Sequence, residues 1–237
     1  MKKMLKLFAP IAVFALFLTG CAFPEEELAQ NGIPYDEQIS SVQSVIDKYR
    51  EDHGGLLPIK NKEADTPIYE KYLIDFNKLI PEYMAEPPIN AYEAGGVFQY
   101  VLVDVETEPK VKIFDLRMAE AIRELNLRLK MQEYPPFKER IADNVFTLDF
   151  SQLGYKEEPF VISPYTNEQL SFVISGNGKI YVDYTKDLYE YLQKYDHDYK
   201  HGDDIRGILV ENSVFVPAYS LPYTIDEDGK APVFLAN

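Results

Sequence analysis

His197 and His201 lie four residues apart in the stretch DHDYKHGDD at 196–204. On a helix, both imidazoles would share one face with carboxylates close by, and such side chains bind divalent metal ions. A solvated helix end, in which Asp203 or Asp204 caps the next turn, explains the same residues. The spacing does not reproduce a calcium-binding loop. We therefore predict no bound metal and no cofactor, with His197, His201 and Asp203 as the ligand candidates if a metal does bind.

Four aspartates recur at matching places in two related parts of the chain. Asp75 and Asp149 open the sequences DFNKL and DFSQL, and Asp115 and Asp183 end two other matched stretches. Paired carboxyl groups can divide acid and base roles in hydrolysis. Recurrence in two copies favours a structural role instead, such as capping a turn before an aromatic anchor. The sequence also lacks serine-nucleophile, Walker and dinucleotide-binding motifs, so we predict no catalytic residue and no enzymatic activity.

Tyrosine is abundant, with 18 residues against no tryptophan. Tyr165, Tyr219 and Tyr223 lie in the proline-containing predicted loops 163–166 and 215–223. Tyrosine rings give a large contact area with few rotatable bonds, which suits binding surfaces. We predict these three as binding residues. Half-buried strand tyrosines are the alternative interpretation.

The single cysteine, Cys21, follows a basic start and an apolar stretch at 7–18. This arrangement is typical of a secretion signal, and about a dozen apolar residues are too few to cross a ~30 Å hydrocarbon core. The sequence Leu18-Thr19-Gly20-Cys21 resembles the bacterial lipobox. The resemblance implies cleavage before Cys21 and a diacylglycerol on its sulfur, which would anchor the protein to the membrane. A free cysteine in an ordinary signal peptide is the alternative.

The chain is strongly acidic, with a formal net charge of -15. Nucleic acid and anionic lipid head groups should repel such a surface, so we predict no nucleic-acid partner. The same charge could attract cations, basic peptides or basic wall components, or it could serve solubility alone.

Helical spacing of apolar residues predicts three helices that would position these side chains. The first follows Asp36 and ends at Gly54-Gly55, the second covers about 117–131, and the third carries Leu188 and Leu192. Strand-like runs lie after the first two helices, and other short sequences recur in the same order. The matched pairs are LLPI at 56–59 with YPPF at 134–137, DFNKL at 75–79 with DFSQL at 149–153, FQYVL at 98–102 with LSFVI at 170–174, and KIFD at 112–115 with IYVD at 180–183.

These repeats predict two tandem modules of the same construction. A helix laid across a short antiparallel meander buries one face of each, which gives an α+β fold. The C-terminal part resembles a truncated third unit. We predict a lipoprotein signal peptide at 1–20, an acidic tether at 21–35, a first module at 36–116, and a second module with a C-terminal extension at 117–237.

Two resemblances bear on the family. The order of helix, LLPI knot, Leu79-Ile80-Pro81 and strand at 98–100 resembles the globular head of pilins and pseudopilins, although the lipobox replaces a prepilin cleavage site. The lipobox, the acidic tether, the LLPI and YPPF knots and the tail VFVPAYSLPYT at 214–224 together resemble the YphF lipoprotein family of Bacillus-type bacteria. The second resemblance implies the outer face of a Gram-positive cytoplasmic membrane.

These observations predict a lipid-anchored, extracytoplasmic protein that binds or organises a partner without catalysing a reaction. The expected partners are the cytoplasmic membrane, through the diacylglycerol on Cys21, and another protein of the cell envelope. The alternative is a solute-binding component of an ABC transporter, a label that the YphF resemblance brings with it, with the solute held in a cleft between the modules.

Overall fold

A computed structural model describes residues 35–235 of the chain. Cys21 and most of the predicted tether therefore lie outside the described residues. The helices are α1 (Tyr35–Asp52), α2 (Ile68–Lys71), α3 (Leu116–Leu129), α4 (Thr185–Lys194) and α5 (Gly207–Glu211). The strands are β1 (Phe98–Val103), β2 (Lys110–Asp115), β3 (Phe137–Ala142), β4 (Val145–Leu148), β5 (Val161–Ile162), β6 (Gln169–Leu170), β7 (Phe172–Ser175), β8 (Ile180–Val182), β9 (Tyr223–Ile225) and β10 (Pro232–Phe234).

The first sheet is an antiparallel meander built around β1 and β2. Phe98 pairs with Asp115 across this hairpin. Leu73 bridges to Val101 on the other side of β1, and Ile59 in turn bridges to Ile74. Side chains alternate along β1, so its even-numbered residues pack with α1, whereas Val101 and Val103 pack with α5 and the tail. Both faces of β1 are therefore covered.

The strands of the second sheet are arranged in the same order along the chain as the segments of the first sheet. Its strands lie in the order β3-β4-β7-β8, all antiparallel, and α3 packs against β8 as α1 packs against β2. The short hairpin β5-β6 is inserted between β4 and β7. Helices combined with small antiparallel sheets confirm the predicted α+β class.

Equivalent backbone hydrogen bonds form at the two proline-containing segments, LLPI at 56–59 and YPPF at 134–137. The backbone N–H of Asp75 donates to the Pro58 carbonyl at 2.8 Å, and that of Asp149 donates to the Pro136 carbonyl at 2.8 Å. One predicted match is wrong by a residue. Ile113 faces α1, whereas its predicted counterpart Tyr181 lies between the inward-facing Ile180 and Val182 of β8. The strand KIFD therefore matches IYVD with a one-residue shift.

A tail segment, residues 213–219, joins the two sheets. The Val216 N–H donates to the Ile113 carbonyl at 3.0 Å, which adds the tail to the edge of β2 in parallel orientation. The Val182 N–H donates to the Tyr219 carbonyl at 2.9 Å, which adds the same segment to the edge of β8. The two predicted modules accordingly share one compact unit within the described residues 35–235.

The remaining C-terminal elements are α4, α5 and the hairpin β9-β10. Leu188 and Leu192 of α4 enter the core of the second sheet, together with Tyr223 and Ile225 of β9. This third part therefore completes the second core. Between residues 35 and 235, no helix has the length and apolar content needed to cross a membrane.

Candidate functional site

The histidine stretch does not form the predicted helix. α4 ends at Lys194, and residues 196–200 have no regular structure. His201 donates from Nδ1 to the Ile225 carbonyl at 2.8 Å, and Asp203 accepts the Lys200 N–H at 2.8 Å. The expectation that both histidines share a helix face is therefore wrong, because the chain here is fastened to β9. Within residues 35–235, no group of three His, Cys, Asp or Glu side chains is placed to hold a metal ion.

The capping role that the sequence suggested for this region is confirmed at Asp204. Its Oδ1 accepts the Arg206 N–H at 3.1 Å, and its two carboxylate oxygens accept the Arg206 guanidinium at 2.6–3.1 Å. Arg206 also donates to the Ser220 hydroxyl at 2.9 Å. The buried guanidinium is thereby neutralised and hydrogen-bonded.

The four repeated aspartates cap local turns, as the structural interpretation predicted. Asp75 accepts the N–H of Asn77, and each of the other three likewise accepts the N–H two residues ahead. Hydroxyl and amide donors from Ser151 and Gln152 lower the pKa of Asp149, which keeps that carboxylate ionised. The equivalent bonds run from Arg117 to Asp115, from Ser151 to Asp149 and from Thr185 to Asp183.

Of the three tyrosines predicted to bind a partner, Tyr223 is buried, and Tyr165 and Tyr219 are partly buried. Tyr223 is fully buried, and its hydroxyl donates to Asp183 at 2.9 Å and accepts the Tyr184 N–H at 3.0 Å. Tyr165 is partly buried, and its hydroxyl oxygen is enclosed with no hydrogen-bond partner among the described residues. Tyr219 takes a positive φ of 58° and donates its N–H to Glu70. Loop 215–223 pairs with both sheets, so most of its side chains, including that of Tyr223, pack into the cores.

A buried carboxylic acid lies next to Tyr165. Asp187, in the first turn of α4, is fully buried and accepts the hydroxyls of Ser163 and Thr166, each at 2.7 Å. Both bonds go to Oδ1, and Oδ2 has no partner within residues 35–235. Burial raises the pKa of Asp187 from 3.8 to about 6, and the two hydroxyl donors lower it in part. This group is therefore a titratable element of the core.

An open groove of about 400 Å³ lies beside the first sheet. Three separate elements form it: α2, the end of β1 with the turn that follows, and α5. Its volume lies within the range of small-ligand sites. Its lining residues are Ile68, Tyr69, Tyr72, Val103, Asp104, Val105, Glu106, Thr107, Gly207, Val210 and Glu211.

The groove combines apolar walls with a negatively charged rim. Asp104, Glu106 and Glu211 line it, and none of them forms an ion pair with another described residue. Asp104 adopts a positive φ of 53°, and its carbonyl accepts the Thr107 N–H, which fixes the turn at the rim. The groove therefore presents carboxylates that form no close ion pair, beside valine and tyrosine side chains.

The tyrosine rings of the groove already have cations close to them. The Arg206 guanidinium lies 5.0 Å from the centre of the Tyr69 ring, and Lys71 Nζ lies 5.7 Å from that of Tyr72. Burial raises the pKa of Tyr69 to about 12, so its hydroxyl stays neutral. Free negative charge in the groove thus comes from the three carboxylates.

The first part of this architecture has a recognisable family. Residues 35–115 match the family model described as the YphF family N-terminal domain. The chain contains a YphF family N-terminal domain. No curated protein and no solved structure matches the chain. The resemblance of the first module to pseudopilin heads therefore stays a prediction.

The YphF N-terminal domain begins with α1 and ends with β2. It supplies most of the groove, namely the residues of α2 and of the β1-β2 turn. Gly207, Val210 and Glu211 come from α5, after the end of the YphF N-terminal domain. The groove therefore spans this domain and the C-terminal part of the chain.

Sequence reasoning missed the groove altogether. Its three segments are more than 30 positions apart along the chain, and no motif links them. The available signals in the sequence were the apolar Ile68 and the acidic stretch with Asp104 and Glu106. Neither signal indicates a site until the fold places α5 beside them.

Proposed function

We propose that the protein is a lipid-anchored, extracytoplasmic binding protein, without enzymatic activity, that holds a partner from the cell envelope. The observation that carries this proposal is the groove, whose volume of about 400 Å³ and mixed apolar and acidic lining suit a specific ligand group. The proposed place of binding differs from the tyrosine loops suggested by the sequence, because Tyr223 is buried and Tyr165 and Tyr219 are only partly exposed.

The anchor in this proposal is Cys21 with its preceding Leu18-Thr19-Gly20. Two acyl chains hold a protein durably on a bilayer, whereas one chain does not. We expect the native protein to fractionate with membranes and the Cys21→Ser variant to lose the lipid and leave the membrane fraction. A matched Ser40→Ala variant, changed on exposed α1, should remain attached. Membrane retention of unlipidated Cys21→Ser would refute the anchor.

The binding role is tested by photocrosslinking on intact cells. A photoreactive residue at Val105, in the groove, should give discrete crosslinked species, and one at Glu139, exposed on β3, should not. The yield of these crosslinked species should fall when the Glu106→Gln substitution is combined with the photoreactive residue at Val105. Equal crosslinking from both positions would mean that the groove has no specific partner.

The second candidate function is solute capture for a membrane transporter. The groove volume favours it, since small-molecule sites fall in the same range. A ligand that binds only the folded state stabilises it by mass action, by about 2.7 kcal/mol at a concentration of one hundred times Kd. A thermal-shift screen of sugars, amino acids and short peptides distinguishes the functions. A large shift with one small solute would favour capture for transport.

A further inference from the structure

The walls of the groove suit the aliphatic part of a long side chain. Val103, Val105 and Val210 line it together with Ile68, which is half exposed, although it is a large apolar residue. Transfer of methylene groups from water to such a surface is favourable. Lysine and arginine can bury their stems on apolar surface while their charged groups reach a polar rim.

The rim suits a cation at the end of that stem. Asp104, Glu106 and Glu211 carry no ion pair within the described part of the chain, and the protein has a formal net charge of -15. Anionic partners would meet repulsion here, and a positively charged partner would be attracted. Among the described residues, these carboxylates do not converge into a metal-binding group. The charge is thus spread over the rim.

We propose that the occupant of the groove is an arginine or lysine side chain of a partner polypeptide, held in an apolar sequence context. This inference rests on the proposed binding function and names its ligand class. The stem of the side chain lies on the valines, and its charged group pairs with Asp104 and Glu106. Because Tyr69 and Tyr72 already have internal cations nearby, charge recognition falls to the carboxylates.

The probe is a set of peptides Ac-Gly-Val-Xaa-Val-Gly-NH2 in which Xaa is arginine, lysine, norleucine or glutamate. They are titrated into the intact protein in neutral detergent micelles, and valine methyl resonances are followed by NMR. Val103, Val105 and Val210 report on the groove, and Val145 and Val161, buried in the second core, serve as reference methyls. The arginine and lysine peptides should shift the three groove methyls saturably, and the glutamate peptide should not.

The variant is Asp104→Asn with Glu106→Gln. Asparagine tolerates the positive φ at position 104, so the turn is preserved. Removing two carboxylates from an exposed rim should lower the affinity for the arginine peptide by about 3- to 10-fold. Glu133→Gln with Glu139→Gln makes the same change of net charge on exposed residues elsewhere and should leave the affinity within about 2-fold of the wild type.

Several results would overturn the inference: no shift with any peptide, norleucine or glutamate binding as tightly as arginine, or equal weakening by the variant and by its charge-matched control. These results leave the binding function itself open to support from the Val105 crosslinks. Loss of the crosslinks with intact peptide binding would instead refute the cellular function and leave the ligand class standing.

Discussion

The second core contains buried residues with polar or titratable side chains. Asp187 is fully buried, with one carboxylate oxygen bonded to two hydroxyls and the other without a partner among the described residues. Glu168 and Glu190 add negative charge nearby and raise its pKa further. A buried carboxylate without a cation favours its neutral form. Stability should therefore depend on the protonation of this residue.

The Asp187→Asn variant tests that dependence. The pKa of Asp187 is raised from 3.8 to about 6. The contribution of its neutral carboxyl group to the free energy of unfolding is therefore complete below pH 3.8 and is lost as the pH rises through 6. Asparagine stays neutral, and its carbonyl can still accept both hydroxyls. Relative to the wild type, the variant should gain up to roughly 3 kcal/mol of unfolding free energy between about pH 4 and about pH 7. The measurement is urea unfolding across this range.

The exposed Glu120→Gln variant on α3 is the control, and its difference from the wild type should change far less with pH. A constant difference between wild type and Asp187→Asn across the range would show that Asp187 does not titrate as described.

Tyr223→Phe removes one hydroxyl from the same core. That hydroxyl accepts the Tyr184 N–H and donates to Asp183, so its loss leaves the buried N–H without a partner. We expect the free energy of unfolding to fall by about 1–3 kcal/mol. Tyr189→Phe, on an exposed ring, should change it little. Equal small effects of both variants in denaturant unfolding would contradict this account.

At the scale of elements, the hairpins β1-β2 and β7-β8 each lead directly into a helix through an aspartate. Asp115 ends β2 and is the N-cap of α3, and Asp183 follows β8 and accepts the N–H of Thr185, the first residue of α4. A carboxylate at a helix N-terminus satisfies a free N–H and interacts favourably with the helix dipole. An aspartate therefore orients the helix that follows each of these two hairpins.

Asp115→Ala and Asp183→Ala should each lower the free energy of unfolding by about 0.5–2 kcal/mol. Hydrogen exchange should speed up first in the opening turn of the helix that each aspartate caps. Asparagine at either position keeps the side-chain acceptor and should lose less than alanine. An alanine variant as stable as its asparagine counterpart would contradict the capping role.

At the scale of the whole molecule, one segment ties the repeated parts together. Residues 213–219 hydrogen-bond to β2 through Val216 and to β8 through the Tyr219 carbonyl. Lys112 on β2 adds a further tie, because its Nζ donates to the Val210 carbonyl at 2.7 Å. Two sheets that share one edge segment should unfold together.

Val216→Pro tests this coupling, since it removes the N–H that donates to Ile113. We expect a loss of about 2 kcal/mol and faster amide exchange in both β1 and β7, within a single unfolding transition. Exchange that accelerates in β1 alone, or two separate transitions, would show that the sheets are independent.

The sequence by itself determined the local features. The three main helices and the α+β class follow from the spacing of apolar residues. The aspartate caps follow from hydrogen bonds between residues two positions apart, which form independently of the rest of the fold. The acidic charge and the lipobox-like stretch at Cys21 are likewise properties of the chain alone.

Only the tertiary structure decided which residues face solvent and which distant segments meet. Tyr223 reads from sequence as a loop residue and is buried because β9 closes the second core. Residues 196–200 lack the predicted helix, and His201, just after them, is held by β9, a partner that periodicity cannot reveal. The groove exists because α5 packs against the first sheet about a hundred positions away, and such long-range contacts depend on how complete surfaces fit together.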